Sequence, residues 1–236
     1  MSDITDIDLI EKRFEQRYKT KKKLNLVICA VIALLGTASV MFIFDFDNDG
    51  LYTFRWMTVD GTLYTTIISY ICFFVNIVEI RKYTELTSRA VYYMRLSSAV
   101  AEGLIITVVL ISQLPFTDEH MHIFRFDMFN MHILIPLLTI LSFIMNDSPI
   151  GFINRIKRLN GTWFITVYAV VIVSFILGGK ISDDMIPYEF LDIVNMSAGE
   201  IIGCLLVIYT IGYCFSNLLY RLNKKISFRM LRVTGR

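Results

Sequence analysis

The stretch WMTVDGTLYTTIISYICFFVNIVE, Trp56–Glu79, decides the fold. From Trp56 to Val78 it carries one charged residue, Asp60. A run of this length and polarity crosses the hydrocarbon core of a bilayer as a helix, since about 20 residues cover about 30 Å. Its polar residues include Thr58, Thr62, Thr65, Ser69, Cys72, Asn76 and Glu79. They are spaced alternately four and three apart, which puts them all on one helix face. In hydrocarbon such a face turns toward other helices and away from lipid. The stretch therefore predicts a bundle, not a lone anchor.

Working outward, five more apolar blocks appear: Leu24–Phe44, Leu96–Leu114, Met128–Met145, Trp163–Gly178 and Gly199–Tyr220. The chain is 55% hydrophobic and 19% charged, more apolar than a soluble domain at about 45–50%. A helix satisfies its own backbone in lipid. The expected fold class is thus an all-α integral membrane protein with six transmembrane helices. Residues 1–23 place Ile7, Ile10, Phe14 and Tyr18 at helical spacing among charges, as in an amphipathic interfacial segment. Residues 24–220 form the bundle, and 221–236 a basic tail.

Charge placement sets the orientation. All of the 23 Lys and Arg residues except Arg55, Arg125 and Lys180 precede the first block, flank the second or fourth connection, or follow the last block. Positive loops stay in the cytoplasm, so both termini are expected there, in a multi-pass protein of the cell membrane. The same basic segments read as neighbours of anionic headgroups, not of nucleic acid. The first block is longer than a signal-peptide core and lacks a cleavage site after it, so it reads as a retained helix. Cys29, Cys72, Cys204 and Cys214 all fall inside spans, where they read as packing residues and not as a disulfide or zinc framework.

With that topology, Thr58, Asp60, His132 and Glu200 lie within about a turn and a half of the outer end of their spans. A threonine hydroxyl becomes a nucleophile when a base takes its proton, and histidine titrates in the right range. A carboxylate orients the imidazole in hydrolase triads; Asp60 and Glu200 both qualify. Thr62 continues the same face of the second span, and Asn130 is a candidate oxyanion donor. Pro136 removes the backbone hydrogen bond to the His132 carbonyl, so a kink is expected there. Glu102 sits near the middle of the third span. The depth suits a membrane lipid ester whose carbonyl lies near the headgroups while its acyl chain stays in the bundle, with no cofactor.

Two segments carry a resemblance. Phe54-Arg55-Trp56-Met57-Thr58 resembles the aromatic-x-x-Thr start of span two in the androgen-induced protein family and its bacterial relatives, the Pr6Pr membrane proteins. Asn130-Met131-His132-Ile133-Leu134-Ile135-Pro136 resembles their span-four motif of His followed four residues later by Pro. The six-span layout is similar as well. The resemblance implies Thr58 as nucleophile and His132 as base in hydrolysis of fatty acid esters of hydroxy fatty acids. The chain departs from the bacterial pattern at Gly61-Thr62, where those relatives have Ser-Asn, and at Ser142, where they tend to have Asp.

Other classes compete. The stripe from Thr58 to Glu79 crosses the whole bilayer, as the path of a small-solute or ion transporter does. A partner-binding membrane subunit would need neither chemistry. His120 and His122 stand beside Asp118 and Glu119, and with His132 they supply ligand types for zinc in a metal-dependent hydrolase. Asp45, Asp47 and Asp49 with Gly50 match the opening of a calcium loop, but Trp56 occupies the place of its closing Glu. The connection Lys180–Ala198 is longer than a turn requires. Ser182-Asp183-Asp184 is a helix-start signal followed by Ile186, Phe190, Leu191, Ile193 and Val194, which reads as a short helix on the outer interface, either covering the mouth of a pocket or serving as an interfacial anchor.

Overall fold

The computed structural model describes residues 2–46, 50–82, 86–113, 124–147, 156–182, 185–188 and 193–234. Among these residues all regular structure is helical. Six helices are long and apolar enough to cross a membrane. They are α1 (Ser2–Phe46), α2 (Met57–Lys82), α3 (Arg89–Val108), α4 (Phe126–Asn146), α5 (Trp163–Leu177) and α6 (Ala198–Thr234). The N-terminal amphipathic segment and the basic tail are continuous with α1 and α6, so neither is a separate element.

Local chemistry sets several boundaries. Ser88 caps α3 by accepting from the Val91 N–H. A 3₁₀ turn, Gly50–Arg55, leads into α2, and another, Ile156–Thr162, into α5. α5 ends in a paired motif in which Lys180 N–H donates to the Phe175 carbonyl and Gly179 N–H to that of Ile176. Gly179 has φ 65°, a conformation that costs a residue with a side chain and costs glycine little. Ser197 and Glu200 form a reciprocal capping box at the start of α6, with Ser197 N–H donating to the Glu200 carboxylate and Glu200 N–H to the Ser197 hydroxyl.

α3 is the central helix and touches α2, α4, α5 and α6. Its most apolar stretch is 67% buried, against 11% for that of α6. Tyr92, Leu96, Ala99 and Val100 of α3 pack with Phe143 of α4, Ile165 of α5, and Leu219 and Tyr220 of α6. α6 docks through its second half, where Ser216 donates to the Arg158 carbonyl at 2.6 Å. Gly161 permits this approach, because a Cβ there would lie 2.8 Å from that of Ser216. From Ala198 to Ile211, no residue of α6 is buried.

A polar network closes the end of the bundle where Arg81, Lys82 and Arg89 lie, here called the basic end. Lys22 of α1 pairs with Glu79 of α2 at 2.5 Å. Glu79 also accepts from the N–H groups of Leu86 and Thr87 and from the Thr87 hydroxyl. Asn25 donates to Asn76 and accepts from the Ser142 hydroxyl of α4. Arg95 of α3 donates to Ser142 at 2.8 Å and to Asp147 at 3.0 Å. Asn223 of α6 accepts from the Tyr92 hydroxyl and reaches the carbonyls of Phe143, Ile144 and Asp147. Residues at a helix C-terminus lack an intrahelical partner for their carbonyls, so α6 caps α4.

Asp147→Ala leaves the buried Arg95 guanidinium without its counter-charge, a change that costs about 3–5 kcal/mol where a buried pair is broken. The thermal midpoint in detergent is expected to fall sharply. Glu15→Ala removes an exposed i, i+4 partner of Lys19 and is expected to cost about 1 kcal/mol or less.

Candidate functional site

The far end of the bundle, opposite the basic end, holds the sequence-derived candidates. Thr58 and Asp60 lie in the first turn of α2, and both are half-buried. Thr62, one turn deeper, is fully buried, and its hydroxyl has no hydrogen-bond partner. The rest of the stripe behaves as its spacing predicts, with Thr65, Ser69, Cys72, Asn76 and Glu79 all buried.

His132 lies in a π turn, Asn130–Leu134, inside α4. Pro136 accounts for it. Without an N–H, Pro136 cannot bond the His132 carbonyl, and the widened turn lets Ile135 N–H reach back to the Asn130 carbonyl instead. The expected break is therefore absorbed as a π turn. The imidazole is buried, and its Nδ1 lies 2.9 Å from the Met128 carbonyl. A carbonyl only accepts, so Nδ1 carries the proton and Nε2 is left as the basic nitrogen. Asn130, in the same turn, is buried with its Nδ2 lacking a partner.

The π turn packs against α2. Val59, next to Thr58, and Met131, next to His132, share an apolar cluster with Ile43 of α1. The elements carrying the two residues are thus in contact. Among the described residues no hydrogen bond joins Thr58 to His132. Asp127, which sequence reasoning passed over, lies five residues before His132 on the same helix and makes no hydrogen bond to the imidazole. Asp127 is fully buried and is gripped by Arg125 through two bonds of 2.7 Å.

The two carboxylates singled out from sequence are placed differently. Asp60 stays at the far end with Thr58, half-buried in the first turn of α2. Glu200 is exposed and is spent on the Ser197 capping box, a local signal legible as Ser-x-x-Glu. Tyr188, from the connection between α5 and α6, is a further residue missed in the sequence. Burial pushes its hydroxyl above the usual tyrosine range, against hydrogen bonding from the Met57 backbone and the Thr58 side chain. Its ring meets Trp56 edge-on at 5.7 Å. Ile186, Tyr188 and Ile193 also pack on the cluster of Tyr168, Ile172, Ile176 and Ile181. The connection therefore lies over the far end beside Thr58. The Tyr168 hydroxyl donates to the Arg55 carbonyl at 2.6 Å and fixes the entry to α2.

His120, His122, Asp47 and Asp49 lie outside the described residues, as does the side chain of Asp45. Among the described residues no group of His, Cys, Asp and Glu could hold a metal ion. Compared with protein-family models, curated proteins and solved structures, the chain matches none.

Glu200→Ala separates a capping role from an orienting one. Amides in the first turn of α6 are expected to exchange faster with solvent deuterium, while chemical reactivity at Thr58 and His132 is unchanged. A loss of that reactivity would return Glu200 to the site.

Proposed function

We propose that the protein is a membrane-embedded lipid-ester hydrolase in which Thr58 is the nucleophile and His132 its base, near the outer face of a cell membrane with both termini in the cytoplasm. The observation that carries this reading is the state of His132. Its ring is held by Nδ1–H to the Met128 carbonyl, which leaves Nε2 to take a proton, on a turn packed against the helix that begins with Thr58. The resemblance of the Phe54–Thr58 and Asn130–Leu138 segments to the androgen-induced and Pr6Pr proteins supports the same pair.

The reaction then runs in two steps. The Thr58 hydroxyl attacks the ester carbonyl carbon as its proton passes to His132 Nε2. Hydrogen-bond donors stabilise the resulting oxyanion, and the spare Asn130 Nδ2 and the Tyr188 hydroxyl are the candidates. His132 returns the proton to the departing alkoxide, the ester C–O bond breaks, and an acyl-threonine remains. Water, activated by the same nitrogen, hydrolyses it to the free acid and restores the Thr58 hydroxyl. Asp127, on the same helix and paired with Arg125, is the candidate for favouring the imidazolium formed between these transfers. Hydroxyl and imidazole must come within hydrogen-bond reach, and such bonds often tighten only with substrate bound.

A transporter using the α2 stripe is the second reading, favoured by burial of that stripe from Thr62 to Glu79. Its basic half is taken up by the bonds of Lys22, Asn25 and Asn76, which weighs toward a site at a single depth.

Purified wild-type protein is expected to react covalently with a fluorophosphonate probe, and Thr58→Ala to abolish the adduct. His132→Ala is expected to lower probe reactivity and ester hydrolysis by about 10²–10⁴-fold, the usual contribution of a general base. Asn76→Ala leaves hydrolysis intact in this reading and impairs function in the transporter reading. A folded wild type that neither labels nor cleaves lipid esters would overturn the proposal.

A further inference from the structure

One buried group is used neither by the polar network nor by the candidate site. Glu102 lies in α3 and is fully buried, and neither carboxyl oxygen has a hydrogen-bond partner. It stands where α3 is most enclosed, with Ala101, Gly103 and Leu104 buried around it. The Thr65 hydroxyl of α2 borders the carboxyl. Thr65 in turn shares a 2.9 Å hydrogen bond with Ser98, one turn before Glu102 on the same helix.

The charged and titratable groups on the surrounding elements leave the carboxyl alone. Arg95, about 10 Å along α3, is held by Asp147. Asp60 and Tyr64 on α2, His132 on α4, Tyr168 on α5 and Arg158 before α5 make no hydrogen bond to it. α6 meets α3 at this level with the Phe215 ring against Gly103. A fully buried carboxylate without a protein partner carries a large desolvation cost. Uptake of a proton removes that cost. The hydroxyls of Thr62 and Ser69 on α2 and Thr139 on α4 are also buried without partners, so the interior at this level is polar and unsaturated.

We propose that Glu102 is a proton-binding site in the middle of the bundle, a neutral carboxylic acid at neutral pH that exchanges its proton by way of the Thr65–Ser98 hydroxyl pair. Protonation adds one H⁺ from water to the carboxylate and returns it on release, with no other co-reactant. This inference does not rest on the hydrolase reading. A proton held at mid-depth is equally available to a bundle that moves a solute.

The test is infrared difference spectroscopy of the full chain in lipid vesicles, wild type against Glu102→Gln. At neutral pH the wild type is expected to show a carboxylic-acid carbonyl band that shifts slightly in D₂O, is absent from Glu102→Gln, and is the same in sodium and choline chloride. Replacing one neutral group by another, Glu102→Gln is also expected to keep its thermal midpoint. If that variant does not fold, the band is followed in wild type by pH titration, and dicyclohexylcarbodiimide adducts are mapped by peptide mass, with modification at Glu102 expected. Absence of the band from folded wild type at neutral pH overturns the proposal. So does a band that sodium removes and choline does not, which would make the occupant a metal cation.

Discussion

The Arg95–Asp147 pair is the constraint around which the bundle is arranged. A guanidinium 1% exposed inside an apolar helix bundle needs its charge matched. Asp147 supplies the counter-charge and Ser142 of α4 accepts from a second donor, while Nη1 has no partner. Ser142 passes the requirement to Asn25 of α1, and Asn25 passes it to Asn76 of α2. Four helices are thereby fixed relative to one another by side chains that have no alternative partner in hydrocarbon. Apolar packing around α3 fills the remaining space without specifying it, since Leu, Ile and Val contacts in a membrane are little different from contacts with lipid tails.

The two ends of the bundle differ in how their polar groups are spent. At the basic end charged side chains pair between helices, as Lys22 with Glu79 and Arg95 with Asp147, although Asn146 Nδ2 and Arg95 Nη1 have no partner. Toward the far end the pairing thins, with a free Asn130 amide and an unpartnered Thr62 hydroxyl and an imidazole bonded through one nitrogen. The ion pairs that join different helices therefore sit at the basic end, away from the candidate site. That separation is what a site needs, because groups already committed to each other are not available to a ligand.

The fold was largely legible because its signals are local. Block length and polarity marked six helices, and the four-and-three stepping from Thr58 to Glu79 marked the buried face of α2. Pro136 signalled a disturbance next to His132, though whether it would become a kink or a π turn depends on which carbonyl the displaced N–H finds. The network was not legible. Arg95 reads in sequence as one more basic residue flanking a connection, and its partner lies 52 residues away. Asp127 was passed over because it lies just ahead of the apolar run of α4, beside Arg125, where it reads as a loop charge. Glu200 drew attention by its depth, while its Ser-x-x-Glu context already explained it. Tyr188 came to Thr58 through a connection that carries no register with α2.

Asn223 gives the network an order in time. It lies 76 residues beyond Asp147 in the chain, yet it caps the last carbonyls of α4 and holds the Tyr92 hydroxyl of α3. Both α3 and α4 are synthesised before Asn223, so the basic end lacks this latch until α6 has been made. Thus α6 is a bolt, closing a contact that its earlier-made partners cannot close by themselves.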